Sequence, residues 1–418
     1  MVGNMSKSNA LTVKITRTKR LQMALVLGSF AAIGPLSLDM YLPSLPALSE
    51  DLQSSTSVAQ LSITACLLGI AIGQLILGPL SDQKGRRRPL ILSLVIYCLS
   101  SILCASAPTV WVLILLRFIQ GLSGAGGMVI SRAIVRDLYS GVELTKFFSL
   151  LMLINGAAPI FAPVIGGQLL QFTSWRGIFI VLGILSLFMI TMAFFAVKET
   201  LAPENRSNGG IKDTLRTFKL LLHDRVFMGY VFTQGFVSAS MFAYISGSPF
   251  VVQKIFGASA QTFSFIFAIN GIGIIIASQV TGRLAGKVKE TKMLMVGLGI
   301  AISGGFLLNL MLTLDAGLSG ILPALFLVVS SVGVVSTTCF ALAMQSQGKT
   351  AGSASALLGL MPFILGSIMA PLVGIGNGQS AWPMGIIIIT CELIAVMSYL
   401  FVARRGSQLA ERTVKNLS

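Results

Sequence analysis

Gly78 to Pro89 reads GPLSDQKGRRRP, and it joins two uncharged apolar runs, 58–80 and 89–107. Each run is long enough to cross a bilayer as a helix, which takes about 20 apolar residues. Gly85 permits a tight turn between them, and Lys84, Arg86, Arg87 and Arg88 crowd positive charge at one mouth. The pattern is a membrane hairpin, and it recurs outward in both directions. The apolar runs are 21–43, 58–80, 89–107, 109–135, 147–171, 176–197, 226–249, 259–284, 291–313, 318–345, 351–374 and 380–402. They are numbered spans 1 to 12 below.

Composition agrees. Of 418 residues, 54% are hydrophobic and 11% charged, with a mean hydropathy of +0.86. A soluble protein of this length needs far more charge to cover its surface. A net charge of +16 would suggest nucleic acid in a soluble chain, but no basic, aromatic-interleaved domain is present. The five cysteines all fall in apolar runs without a CxxC pair, so they read as small buried hydrophobes. His223 stands alone in a polar gap, which gives a histidine metal site no support. Neither a cofactor nor nucleic acid is expected as a partner.

Placing the N-terminus inside puts 27 of the 30 Lys and Arg residues in the inner tails and loops. The remainder are Arg117 within span 4, and Arg176 and Lys254 outside. This bias predicts a multi-pass inner-membrane protein with both termini cytoplasmic. Residues 1–20 form a basic tail, and span 1 reads as a retained span, lacking a convincing small-residue cleavage site.

The longest gap, 199–225, opens with a turn-rich linker and continues as IKDTLRTFKLLLHDR, which fits an amphipathic helix lying on the membrane. It divides the chain into six spans (21–198) and six more (226–403), followed by a tail, 404–418. Ala162-Pro163-Val164-Ile165-Gly166 in span 5 matches Ala370-Pro371-Leu372-Val373-Gly374 in span 11. Such internal similarity implies two related halves with substrate between them.

Asp39 is the one acid in span 1, within SLDMYLPSLP (Ser37 to Pro46). An acid at bilayer depth costs about 2.5–3.5 kcal/mol on the insertion scale, so it is a candidate proton carrier or counter-charge. In span 4, Arg117, Gln120, Gly121 and Gly124 share one helical face. A buried Arg there needs a partner or water; a purely structural arginine is the competing reading. Ala158, Ala162 and Gly166 form a small-residue stripe in span 5 for close helix contact, and Pro159 and Pro163 permit bending. Glu392, midway along span 12, is a second intramembrane acid. A structural protonated acid and a coupling acid stand as equal readings of it.

The loop quoted first resembles the signature of the major facilitator superfamily, G-x-L-x-D-R-x-G-R-[RK], at Gly78, Leu80, Asp82, Gly85, Arg86 and Arg87. Gln83 stands where a basic residue is usual. The resemblance implies an all-α integral membrane fold of twelve transmembrane helices in two pseudo-symmetric six-helix halves. It also implies a gate in which Asp82 and Arg86 latch the halves in an outward-facing state, with Arg136 and Asp137 as further partners. Span 4 resembles the superfamily's R-x-x-Q-G motif, whose arginine is associated with proton coupling. Span 5 resembles the antiporter signature G-x-x-x-G-P-x-x-G-G at Pro159, Pro163, Gly166 and Gly167, with alanines at 158 and 162.

SLDMYLPSLP, SRAIVRDLY (Ser131 to Tyr139) and MFAYISGSPFVVQ (Met241 to Gln253) together resemble the Bcr/CflA (bicyclomycin/chloramphenicol resistance) drug:proton antiporters. That implies efflux of small amphiphilic drugs such as phenicols or bicyclomycin across a bacterial inner membrane. The proton gradient would drive it, a monomer would suffice, and Asp39 and Arg117 would be the coupling pair. An apolar, adaptable cavity with a few polar anchors is expected. The candidate contacts are Tyr41, Met152, Asn155, Gln234, Phe242, Tyr244 and Asn270, each with plain packing as the competing role.

Three other readings compete: a transporter of a small metabolite such as an amino acid, an uncoupled facilitator, and a membrane-embedded enzyme. The enzyme has least support, because no clustered nucleophile, metal set or phosphate loop is found.

Overall fold

A computed structural model describes residues 17–139, 141–206, 211–345, 347, 351–375 and 378–404 of the chain. The described residues are almost wholly helical. Span 1 comprises α1 (Arg17–Ala31), α2 (Ile33–Asp39), a 3-10 turn (Leu42–Ser44) and α3 (Leu45–Asp51). Spans 2 to 6 are α4 (Thr56–Lys84), α5 (Arg87–Ala105), α6 (Val110–Leu138), α7 (Gly141–Leu169) and α8 (Trp175–Ala196). The surface helix α9 (Ile211–His223) precedes span 7, α10 (Arg225–Phe250), which ends in a π-helical turn, Val251–Ile255. Spans 8 to 10 are α11 (Ala260–Leu284), α12 (Glu290–Thr313) and α13 (Gly317–Met344). Span 11 is α14 (Ala351–Met369) with a 3-10 turn (Pro371–Gly374). Span 12 is α15 (Trp382–Met397) running into a π-helical segment, Ser398–Arg404.

Among the described residues, ten helices are long and apolar enough to cross a membrane, and the bent span 1 makes an eleventh. Span 5 supplies the twelfth, its apolar part being Leu153–Leu169. No tertiary placement is described for most of the two tails or for Lys349.

Span 1 departs from the single run expected over 21–43. It bends by 44° between α1 and α2 and continues helically to Asp51. Proline chemistry accounts for the break. Pro35 has no N–H to give the carbonyl of Ala31, and Pro43 none for that of Asp39. The polar hairpin between spans 3 and 4 is as short as expected, with the Thr109 side chain capping Val112 N–H at 3.4 Å.

Within the first six spans, α4 packs on α6, α5 on α6 and α8, and α1 and α2 on α6 and α7. Within the last six, α10 packs on α13, α14 and α15, α12 on α13 and α15, and α11 on α13. The two sets meet along two seams, α7 with α11 and α4 with α14. Glycine lets backbones approach where α4 crosses α6. A side chain at Gly121 would strike the backbone of Cys66, and one at Gly69 would meet Leu122 N at 2.7 Å.

The buried apolar residues are distributed unequally between the two ends. At the end away from the termini, one cluster runs across both sets of spans, from Tyr41, Leu45 and Phe179 to Phe250, Phe263 and Val373. At the end bearing the termini there are two clusters. One belongs to the first set, around Phe30, Leu94 and Phe147. The other belongs to the second, around Phe227, Leu298 and Leu358, with Ala71 of span 2 at its margin. The outward faces of the bundle are apolar, with Leu92, Phe188, Phe195, Ile269 and Phe306 all exposed, as lipid contact requires.

Candidate functional site

A cavity of about 330 Å³ lies between the two sets of spans, against spans 1, 2, 4, 5, 7, 8, 10 and 11. Its walls are overwhelmingly apolar: Leu38, Met128, Met241, Phe242, Phe267, Ile274 and Phe363 among others. Asp39 is the one acid among the described lining residues, and it is 5% exposed. It ends α2, just before the 3-10 turn Leu42–Ser44 that contains Pro43, so it sits where regular α-helical winding stops. Across the cavity, Asn270 Nδ2 donates to the Tyr244 hydroxyl at 2.8 Å, and the Tyr244 ring stacks on Phe267 with centroids 5.5 Å apart. Asn155 completes the polar set, its Nδ2 donating to Leu151 O at 3.0 Å.

Of the seven expected contacts, Asn155, Phe242, Tyr244 and Asn270 line this cavity. Tyr41 and Gln234 stand away from it. The Tyr41 hydroxyl pairs with Ser62 Oγ at 3.0 Å, and its ring is buried beneath Arg117. Gln234, half-buried on span 7, has its Oε1 without a hydrogen-bond partner. Sequence spacing could not assign either, because helix rotation is set by packing. The side chain of Met152 lies outside the described residues. Gly156, Pro159 and Met241 also line the cavity. The sequence singled out Pro159 as a helix-bending residue and as part of the antiporter-like stretch, not as a cavity wall.

Arg117 is fully buried. Its Nη1 donates to Gln120 Oε1, and Gln120 Nε2 donates in turn to Ser101 Oγ at 2.7 Å. The guanidinium lies 4.3 Å over the Tyr41 ring and 5.6 Å from that of Phe179, a cation–π seat that helps hold a buried charge. Its Nε and Nη2 have no hydrogen-bond partner. Asp39 and Arg117 make no ion pair within 4.0 Å. The acid faces the cavity, and the arginine stands behind it in the core of spans 1, 3, 4 and 6.

The loop between spans 2 and 3 forms a second polar centre. Gly85 takes φ +87°, a conformation that favours glycine. Arg86, 6% exposed, donates from Nε to Asp137 Oδ2 at 2.8 Å and from Nη1 to Ser81 Oγ at 2.9 Å, and also pairs with Asp82. Thr200 Oγ1 donates to Asp137 Oδ2 at 2.9 Å. Glu199 accepts from the backbone N–H of Arg86 at 2.8 Å, of Arg87 at 3.2 Å and of Leu201 at 3.0 Å. Burial pushes this carboxyl up, but the N–H donors of Arg86, Leu201 and Arg87 outweigh it and leave it below the usual carboxylate range.

These partners all come from spans 2, 3, 4 and 6 or their loops. The resemblance implied a latch between the two halves in an outward-facing state; in this structure, tied most closely at the end away from the termini, the cluster binds the first set of spans together. Arg86 caps the start of α5, just past the Gly85 turn, and its guanidinium reaches back to Asp82 at the end of α4 and across to Asp137 at the end of α6. Arg136 is exposed and stands apart, and Gly78 faces only Val129, at 3.4 Å. Glu199 was not foreseen. Its signal was an acid closing span 6 amid basic residues.

The span 5 stripe packs at the far end. A side chain at Gly166 would collide with the carbonyl of Met40 at the span 1 break, and one at Gly167 with Ser264 of span 8. Gln261 Nε2 donates to Gly167 O at 2.9 Å. Further bonds between the two sets gather at the same end. Gln60 Nε2 donates to Ser246 O at 3.0 Å, Gln253 Nε2 to Pro43 O at 3.1 Å, and Lys254 Nζ lies 3.1 Å from Glu50 Oε1. Among the described residues, no group of acids, histidines and cysteines could hold a metal ion.

The sequence profile described as Major Facilitator Superfamily matches residues 25–371. The chain is 45% identical over 386 residues to "Uncharacterized MFS-type transporter YdgK" of Bacillus subtilis, covering 92% of this chain and 96% of the other. It is 32% identical over 382 residues to "Bicyclomycin resistance protein homolog" of Haemophilus influenzae, covering 91% and 96%. It is 28% identical over 380 residues to "Chloramphenicol resistance protein" of Pseudomonas aeruginosa, covering 89% and 88%. Among solved structures, that of a D-xylose-proton symporter superposes with a TM-score of 0.69 at 17% identity, covering 91% of this chain and 98% of that one.

Proposed function

The chain belongs to the major facilitator superfamily, in its Bcr/CflA-type branch, and from that premise we propose that it exports small amphiphilic drugs across a bacterial inner membrane in exchange for protons. It is a multi-pass transporter rather than an enzyme. The observation that carries the finer reading is the position of Asp39. It is the one acid among the described residues of an apolar cavity between the two sets of spans.

Charge placement supports an orientation with the termini in the cytoplasm. In that orientation the continuous apolar cluster and the bonds at Gln60, Gln253 and Lys254 close the outer end. The separate clusters at the inner end leave the two sets of spans less tied there. Bicyclomycin and chloramphenicol, named by two of the relatives, are compact molecules rich in hydrogen-bonding groups. Asn155, Tyr244 and Asn270 would orient such a molecule and the apolar walls would hold it.

The coupling follows from competition. A carboxylate against these apolar walls is costly while charged. A proton from outside neutralises Asp39, and drug entering from the cytoplasm favours release of that proton to the inside. Arg117 has two free donors just behind the span 1 bend, so it is the seat an ionised Asp39 would turn toward as Tyr41 shifts. Each ligand moves the equilibrium only through its differential affinity for the two states.

The test is transport in proteoliposomes with an imposed pH gradient, using a labelled phenicol and following internal pH. The parent is expected to move drug against its gradient with opposite proton flow, and Asp39→Asn and Arg117→Ala to lose that coupling. Drug moving only down its gradient, with Asp39→Asn equal to the parent, would make the chain a facilitator.

A further inference from the structure

The first set of spans holds the acid that faces the cavity, but the most deeply buried acid among the described residues lies elsewhere. Glu392 of span 12 is fully buried, and neither carboxyl oxygen has a hydrogen-bond partner. Opposite it on span 9 is Gly305. A side chain there would collide with Glu392 Oε2, so the missing side chain is the niche that the carboxyl fills. The neighbouring Gly304 makes a close approach of its own to span 10, where a side chain would meet Val328 N at 2.9 Å. Further along the same seam, Asn309 Nδ2 donates to Gly305 O at 2.8 Å and to Gly385 O at 3.0 Å, bridging spans 9 and 12. Glu392 lies seven residues beyond Gly385, two helical turns along the same face.

No formal charge compensates this acid from the elements packed against it. Span 9 carries no titratable side chain between Lys292 and its end at Thr313. Span 7 brings only Tyr230 and Tyr244 between Arg225 and Lys254, and the 3-10 turn Pro371–Gly374 brings none. Span 12 itself adds Cys391, Tyr399 and, at its end, Arg404. Charging an unpartnered buried acid in such surroundings carries a desolvation cost that no partner here offsets. A glutamine would fill the same volume without a titratable proton, so the retained acid calls for a reason of its own. Span 12 also departs from α-helical winding just past this point, at the π-helical segment Ser398–Arg404. That segment packs on span 7 at Gly229, where a side chain would meet Ala403 Cα at 2.8 Å. Such irregular winding is rare and recurs at functional sites.

We propose that Glu392 is a second proton-binding site of this transporter, neutral while the seam between spans 9 and 12 is closed around it and ionised when that seam admits water. The proton leaves to the entering water, and it returns as the carboxyl settles again into the Gly305 niche. The inference rests on the reading of the chain as a proton-coupled exporter, and its readouts are separable from that reading.

Infrared difference spectra of the full-length protein in lipid would follow protonated carboxyls across a pH series, with and without a phenicol. The expected result is a protonated-carboxyl band that persists in Asp39→Asn, is absent in Glu392→Gln and changes amplitude on drug addition or with pH. Labelling of the parent by a lipid-soluble carbodiimide, mapped by mass spectrometry, needs no variant. The peptide bearing Glu392 is expected to be modified, to an extent that drug alters. A band that never changes would make Glu392 a silent structural acid and overturn the proposal. So would a spectrum in which Glu392→Gln loses no band. If the Glu392 band responds while the liposome assay shows no proton flow, the proton-coupled reading fails and the titrating site stands.

Discussion

Arg86 donates to Asp137 at 2.8 Å across 51 positions of sequence, and this bond joins the loop after span 2 to the end of span 4. The arginine is nearly buried, while Asp82, its other acidic partner, is half exposed. Losing Asp137 would leave the guanidinium with a weaker, wetter counter-charge. Asp137→Asn is expected to cost about 1.5–3 kcal/mol, the usual worth of a hydrogen bond to a charged group. Thermal unfolding in detergent would read it, and Asp82→Asn should cost less.

Glu199 adds a pH dependence of definite sign. Its carboxyl lies below the usual carboxylate range because backbone N–H groups of Arg86, Leu201 and Arg87 favour the charged form over the cost of burial. A depressed acid contributes its full stability above its unfolded value of about 4.3. That contribution is lost as pH falls through the lower folded value. Melting temperatures of the parent should therefore fall on acidification more steeply than those of Glu199→Gln. Equal acid slopes would show that these N–H contacts contribute nothing.

Gly85 faces the same carboxylate from the other side. A side chain there would come within 2.6 Å of Glu199 Oε2, and the backbone φ is positive. Gly85→Ala therefore combines strain with a clash, and about 1–3 kcal/mol of destabilisation is expected. Gly78→Ala is the matched control, since its nearest neighbour is a single methyl of Val129 at 3.4 Å. Helix propensity alone should make Gly78→Ala neutral or stabilising, so similar losses in both would show that the Gly85 loss does not come from its φ or from Glu199.

The membrane class, the apolar runs and the loop motif could be read from sequence because each is a local property: run length, charge, or the spacing of a turn. Asp39 and Arg117 stood out for the same reason, as charges where hydrocarbon was expected. What could not be read was direction. Tyr41 is two residues from Asp39, about 200° further round the chain's helical winding, and it lies away from the cavity beneath Arg117. Arg86 has acids at the ends of spans 2 and 4, and only tertiary packing shows that both reach it at once. Glu199 receives its donors from backbone N–H groups, which no side-chain motif records.

Gly166 tests the antiporter-like stripe as a packing device. Its missing side chain lets span 5 lie against the carbonyl of Met40, at the break that sets the position of Asp39. Gly166→Val is expected to force the two apart, with a packing cost of about 1–3 kcal/mol and a transport loss larger than the loss of folded protein. Gly282→Val, at a glycine with no neighbour within 4 Å, should leave both nearly unchanged. If transport falls only in proportion to folded protein, Gly166 serves stability and not the geometry of Asp39.

The far-end contact of Glu50 with Lys254 gives a handle on alternation. The pair joins the end of span 1 to the end of span 7 at 3.1 Å, with both side chains partly in solvent. An exposed pair of this kind is worth about 1 kcal/mol or less, so Lys254→Gln alone should change transport by no more than about fivefold. A covalent tie at the same place should act differently. All five native cysteines are buried and unpaired, so Glu50→Cys with Lys254→Cys would present two accessible thiols. A short cleavable bis-maleimide should then stop transport, and cleaving it should restore transport. Each single substitution with the same reagent should remain active. Unimpaired transport in the cross-linked double variant would show that this end never opens in the cycle, and the alternating-access reading would have to be abandoned.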